Sequence, residues 1–203
     1  MNLLSASRSG LGLLLACLAA CGGETSCCTN PPPAATGAPS DHSVHLLEHR
    51  FVTQTGESRT LADFRGQPVL IALVFTHCSF ACPALVADVQ QTLTLAGSPT
   101  SARVVLVSMD HERDTPPVLA EFAARHRLAG PQWTLLHGDA AAVAELAAVL
   151  GVRYAKVDGG DYSHSNRICL LDGNGEIVHR HDGLGTAPAE LAAALQKLAS
   201  ATH

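Results

Sequence analysis

With 203 residues, the chain has room for one ordinary domain plus a modest extra segment, not two full domains. A hydrophobic share of 47% against 15% charged residues excludes wholesale disorder and supports a sizeable core. A formal charge of −5, with no run of Lys or Arg, excludes an electrostatic footprint for nucleic acid.

Arg8 precedes an apolar run from Leu11 to Ala20. A membrane-spanning helix needs about 20 apolar residues, so this run is too short to span and fits a secretory signal instead. It ends Leu18-Ala19-Ala20-Cys21-Gly22, which resembles a bacterial lipobox. On that reading residues 1–20 are a lipoprotein signal peptide and Cys21 is the lipid attachment point. The chain is then expected in the bacterial cell envelope, anchored to a membrane and facing the periplasm. Residues 21–43 are rich in Pro, Ala, Gly and Ser, with Pro31, Pro32 and Pro33 in a row. Such a stretch buries no core and reads as a flexible tether. At roughly 3.1 Å per residue, its extended form reaches several tens of ångströms. Cys27 and Cys28 lie in it, and adjacent cysteines do not readily bridge each other. The folded domain is expected over 44–203.

Val69 to Phe75 is a continuous apolar run rich in β-branched residues, as a strand buried on both faces requires. A helix follows, with Leu85, Val86, Val89 and Leu93 on one face and Gly97 at its end. Val104 to Val107 predicts a second buried strand. Thr115 and Pro116 mark the start of a helix that turns Val118, Leu119 and Phe122 inward. Asp139 caps a further helix with Val143, Leu146 and Leu150 inside. Arg167 to Leu171 and Glu176 to His179 flank Asp172-Gly173-Asn174-Gly175, a hairpin signal. DGNGE also invites a calcium-loop reading, but the twelfth position, where that loop needs glutamate, is Gly183. A last helix uses Leu191, Leu195 and Leu198. This order implies an α/β fold, with a central mixed sheet flanked by helices.

The chemistry concentrates between the first strand and helix, at Phe75-Thr76-His77-Cys78-Ser79-Phe80-Ala81-Cys82-Pro83. Pro83 lacks an N–H and belongs in the first helical turn. Cys82 is then at the helix start and Cys78 in the loop before it, four positions apart. The helix dipole and free amides there favour thiolate. Two such sulfurs can close a disulfide or bind a soft ion such as Cu(I). Three intervening residues loosen the match to the C-x2-C of dithiol oxidoreductases. Spacing alone leaves metal, redox and structural readings open.

FTHCSFACP, then Val107-Ser108-Met109-Asp110-His111-Glu112-Arg113-Asp114-Thr115-Pro116, then Asp161-Tyr162-Ser163-His164-Ser165 resemble the three signature blocks of the Sco/SenC copper proteins. The likeness runs from about Val44 to Leu198. It implies a thioredoxin-like fold and a copper chaperone, rather than an enzyme, that assists assembly of the copper site of cytochrome c oxidase. It further implies copper, as Cu(I) or Cu(II), on Cys78, Cys82 and His164. The same two cysteines are the expected disulfide and redox pair. The implied partners are the oxidase copper-site subunit, a related cuproprotein or another copper chaperone. His164, ahead of the strand from Arg167, is expected in a loop at a strand end, where such sheets commonly build sites. Asp110 is a candidate for hydrogen-bonding around the ligands or touching a partner. Two departures stand out: family members often carry Asp where this chain has Ser163, and proline where it has His111.

The alternative is a thiol–disulfide oxidoreductase that keeps partner cysteines reduced. Peroxide reduction lacks a further signature. His179 and His181 read as one face of a strand, and His42, His45 and His49 as a polar lead-in to the domain. His77 points away from Cys78 in an extended chain. Cys169 reads as a small buried hydrophobe.

Overall fold

The computed structural model describes residues 41–78, 80–97, 102–157, 161–185 and 188–201. The expected signal peptide, Cys21, the tether and the Cys27–Cys28 pair lie outside them.

Six apolar residues in a row make β3 (Val69–Val74), and every one is buried. It lies in the middle of a seven-stranded sheet with β1 (Phe51–Thr53), β2 (Ser58–Arg59), β4 (Arg103–Ser108), β5 (Trp133–His137), β8 (Arg167–Leu171) and β9 (Ile177–Asp182). The spatial order is β2-β1-β5-β4-β3-β8-β9. β3, β4 and β5 run parallel, while β1, β8 and β9 add antiparallel pairings. The parallel strands need crossovers, which α1 (Ala81–Ala96) and α2 (Pro116–Arg125) supply. Then come α3 (Ala140–Leu150) and α4 (Ala189–Ala201), which packs on α1.

A fully buried Val, Leu or Ile contributes roughly 1.5–3 kcal/mol relative to an exposed one, so β3 and the Val104–Val107 stretch of β4 form the middle of the core. Local signals set the ends. Gly97, at φ 84°, terminates α1, and Asp139 caps α3 by accepting from the Ala142 amide at 2.8 Å. At α2 the expectation is only half met. Thr115 occupies the cap position without a side-chain capping bond, and Val118 is half-buried beside the buried Leu119 and Phe122. The β8–β9 turn spends the Asp172 carboxylate on its own backbone, accepting from the Asn174 and Glu176 amides at 2.9 and 3.0 Å.

Three features are absent from the sequence reading. One is the β1–β2 hairpin, and another is β5, a central strand of only five residues. The third is a separate two-stranded sheet of β6 (Tyr154–Lys156) and β7 (Tyr162–His164). His164 therefore ends a short strand instead of lying in a loop. Its backbone is fixed by pairing with Tyr154, not by the main sheet.

Candidate metal and thiol site

Phe75 leaves β3 at the centre of the sheet, and the chain turns through Thr76 and His77 into Cys78. A ladder of backbone donors holds the two sulfurs. The Phe75 amide donates to Cys82 Sγ, and the Cys82 amide donates to Cys78 Sγ, each at 3.3 Å. The Cys78 amide donates back to the Phe75 carbonyl at 3.3 Å. Pro83 is the third residue of α1, where its missing N–H costs no helical bond. Cys78 is half-buried, Cys82 is fully buried, and both are free thiols. Phe80, between them, is 80% exposed.

Cys82 stands in the first turn of α1, yet its thiol is held well above the usual range. Burial is the main cause and outweighs the Phe75 amide, which acts in the opposite sense. The expectation that the helix start favours thiolate therefore fails for Cys82: the dipole effect is modest, and removal from water is larger. The sulfur is primed as a ligand only when something replaces its proton.

His164 meets this corner through Phe75. Its ring lies edge-on to that of Phe75 with centroids 5.8 Å apart, and Tyr162 packs on the same ring at 5.6 Å. Burial lowers the His164 pKa below its ordinary value, with the Ser165 carbonyl pulling the other way. Burial thus favours the neutral form of the imidazole. Nδ1 lies 3.3 Å from that carbonyl, and as a donor there it would leave Nε2 free to ligate. An open cleft of about 410 Å³ beside His164 is lined by Arg153, Tyr154, Ala155, Ser163 and Ser165.

The loop between β4 and α2 braces both halves. Asp110, fully buried, pairs with Arg113, which extends to Asp161 at 3.9 Å on the hairpin side. Lys156 of β6 meets Glu112 at 2.6 Å. Asp110 thus connects towards the β6–β7 hairpin. Sequence reasoning passed over Asp114. It is fully buried, and its carboxylate accepts from the Thr76 amide (2.9 Å), the Thr76 hydroxyl (2.5 Å) and the Ser108 hydroxyl (2.6 Å). A buried acid in a loop between two apolar elements is the signal that could have flagged it.

Among the described residues, the ligand-type atoms gathered within 4.8 Å of one another are those of His77, Asp110 and Asp114. The acceptors of that trio are already committed to Arg113, Thr76 and Ser108. The Cys78, Cys82 and His164 donors are not so tightly gathered. They share Phe75 as common support.

The other candidates disperse. His49 pairs with Glu145 at 2.5 Å. His45 is buried against the β8–β9 turn, with both ring nitrogens unpartnered. His179 and His181 share a half-buried face of β9. Cys169 is buried in β8, its thiol pushed up to about 11 chiefly by burial.

The SCO1/SenC family model matches residues 38–200. The chain is 35% identical over 140 residues to a human mitochondrial SCO2 homologue, covering 64% of this chain and 49% of that protein; it spans about half the length of that relative. Among solved structures, it resembles Bradyrhizobium japonicum ScoI with copper bound, at 28% identity and a TM-score of 0.62, over 81% of this chain and 99% of that one. It also resembles BsSco, a member of the Sco family of cytochrome c oxidase assembly proteins in which a disulfide switch was identified. That likeness has 23% identity and a TM-score of 0.67 over 81% of this chain and 98% of the other. The fold is thioredoxin-like, as in these Sco structures.

Proposed function

The chain belongs to the SCO1/SenC family, and from that premise we propose that it carries copper on Cys78, Cys82 and His164 and delivers it to the copper site of cytochrome c oxidase or a related cuproprotein. The observation that carries this reading is the amide ladder. It presents two free sulfurs at one strand-to-helix corner, with the His164 imidazole packed on the same Phe75 ring. Two thiolates and one imidazole suit Cu(I) and tolerate Cu(II). Three ligands leave a position open, so a recipient's ligand can enter before the donor's leave. Metal coordination deprotonates a thiol outright, which overcomes the burial that keeps Cys82 neutral. Asp110 supports the hairpin side through Arg113.

Titration of the reduced full chain with Cu(I) against a competing chelator tests this. One tightly held copper per chain is expected, absent when Cys78 and Cys82 are both serine. Equal copper uptake by that double variant would contradict it.

The alternative, thiol–disulfide exchange, is favoured by the Cys82 amide bond to Cys78 Sγ, which keeps the two residues in contact. A half-buried Cys78 is the sulfur a partner reaches. Copper must meet reduced cysteines at its target, so the two activities are compatible.

In the cell we place the domain, about 44–203, on a lipid anchor at Cys21 facing the periplasm, with 1–20 removed and 21–43 as tether. The lipobox-like sequence supports this. Cys21→Ser should shift the protein from the membrane to the soluble fraction, and continued membrane fractionation would refute the anchor.

A further inference from the structure

Asp114 is a buried carboxylate whose three side-chain hydrogen bonds come from the end of the sheet, and His77 Nδ1 lies 3.7 Å from its Oδ1. A buried charge is costly unless its lone pairs are filled. Two of the three donors come from one residue, Thr76, whose backbone and hydroxyl are held in a pincer. The third, Ser108, is the last residue of β4. The Asp114 carbonyl lies 3.0 Å from His137 Nδ1, at the end of β5, and its amide donates to the Asp110 carbonyl. One residue thus ties together the C-terminal ends of three parallel strands. Thr76 stands two residues before Cys78, with only His77 between them.

We infer that Asp114 is a positioning residue for the cysteine site: by fixing Thr76 it fixes the loop that presents Cys78, without a hydrogen bond to either sulfur. A β3 end held only by sheet hydrogen bonds would leave the turn through Thr76 and His77 free to pivot. Cys78 Sγ would then drift from the Cys82 amide. The double grip on Thr76 removes that freedom. Its metal readout rests on the copper reading above, but its thiol readout does not.

The test uses the full chain in wild-type, Asp114→Ala, Asp114→Asn, Thr76→Val and Leu146→Ala forms. Leu146 is a buried residue of α3 that serves as a stability control. Two quantities are read below the melting temperature of every variant. One is Cu(I) affinity against a chelator. The other is the equilibrium with glutathione, in which the Cys78–Cys82 disulfide is reduced to two thiols while two glutathione thiols become one glutathione disulfide. Asp114→Ala should weaken copper by about tenfold or more, as loss of an outer hydrogen-bonding partner does. It should also make the disulfide about tenfold easier to reduce, because a freer loop brings the thiols together less often. Asp114→Asn can keep the Thr76 amide bond and should stay within about threefold of wild type in both readouts. Thr76→Val keeps that amide bond, loses the hydroxyl and should fall between the two. Leu146→Ala should lower the melting temperature and move neither readout. Wild-type values in folded Asp114→Ala would overturn the inference, and so would shifts of equal size in Leu146→Ala. If Asp114→Ala does not fold, unchanged values in Thr76→Val overturn it. If the wild type binds no copper, the copper reading fails, and the glutathione equilibrium still decides the role of Asp114.

Discussion

Cys78 and Cys82 follow a strand whose six residues are all buried, and their sulfurs take hydrogen bonds from backbone amides. His164 ends a three-residue strand, paired to another three-residue strand, with exposed residues on both. The corner is fixed by the core. The hairpin is held by aromatic contacts to Phe75, an exposed Lys156–Glu112 pair and the Arg113 link to Asp161. Removing the rigid half should therefore destroy the site, whereas disturbing the peripheral half should grade its affinity. On the proposed copper reading a carrier benefits from that asymmetry: two ligands would hold the cargo in place, and a third on a lightly held element would engage or release.

The largest effect is expected at the corner. Cys82→Ala removes a proposed ligand, and copper affinity should drop by about a hundredfold or more in a chelator titration, beyond the loss typical of outer-sphere changes. Retention of wild-type affinity would mean that the corner is not the rigid half of a metal site.

Next is pH. Burial raises the Cys82 pKa, so the metal-free thiol keeps its proton through neutral pH and must lose it on coordination. Affinity should rise by about tenfold per pH unit for each proton released. Burial lowers the His164 pKa below its ordinary value, so its protonation competes on the acid side alone and steepens the profile there. Apparent affinities measured from acid to mildly alkaline pH check this, and a flat profile through neutrality would contradict a protonated Cys82.

The hairpin's exposed brace should matter less. Lys156→Ala breaks a solvent-exposed pair and should weaken copper by less than about threefold, with the effect fading as salt is added. A larger loss would show that ionic bracing, not aromatic packing, places His164. Smallest of all, Phe80→Ser removes a ring that is 80% exposed and should leave melting temperature and copper affinity essentially unchanged. A fall in either would show that Phe80 packs on the site.

The same contrast explains what could be read from the chain alone. Val69 to Val74 announces a central strand by an unbroken apolar run, and Pro83 places the helix start next to it. The two cysteines were legible because strong local signals flank them. Tyr154-Ala155-Lys156 carries no such pattern, since both strands of its hairpin are short and partly exposed and exist through pairing with each other. The sequence motif singles out His164 as a candidate, but not the strand on which it stands. β5 carries no clear signal because Thr134 and His137 interrupt the apolar run of Trp133 to His137, and the strand is held by pairing with β4 and β1. Thiolate at Cys82 was expected from its helix position, and only the three-dimensional burial reverses that. Asp114 was visible as a letter in a motif, but its grip on Thr76 spans 38 positions and needs the fold.

The proposed copper site requires that a ligand from the hairpin complete the corner. Cu(I) titration of the reduced full chain, wild type beside His164→Ala, tests this most directly. The account predicts binding at least about tenfold weaker in the variant, with Cys78 and Cys82 still able to form a disulfide. Equal copper affinity in the two proteins would contradict it.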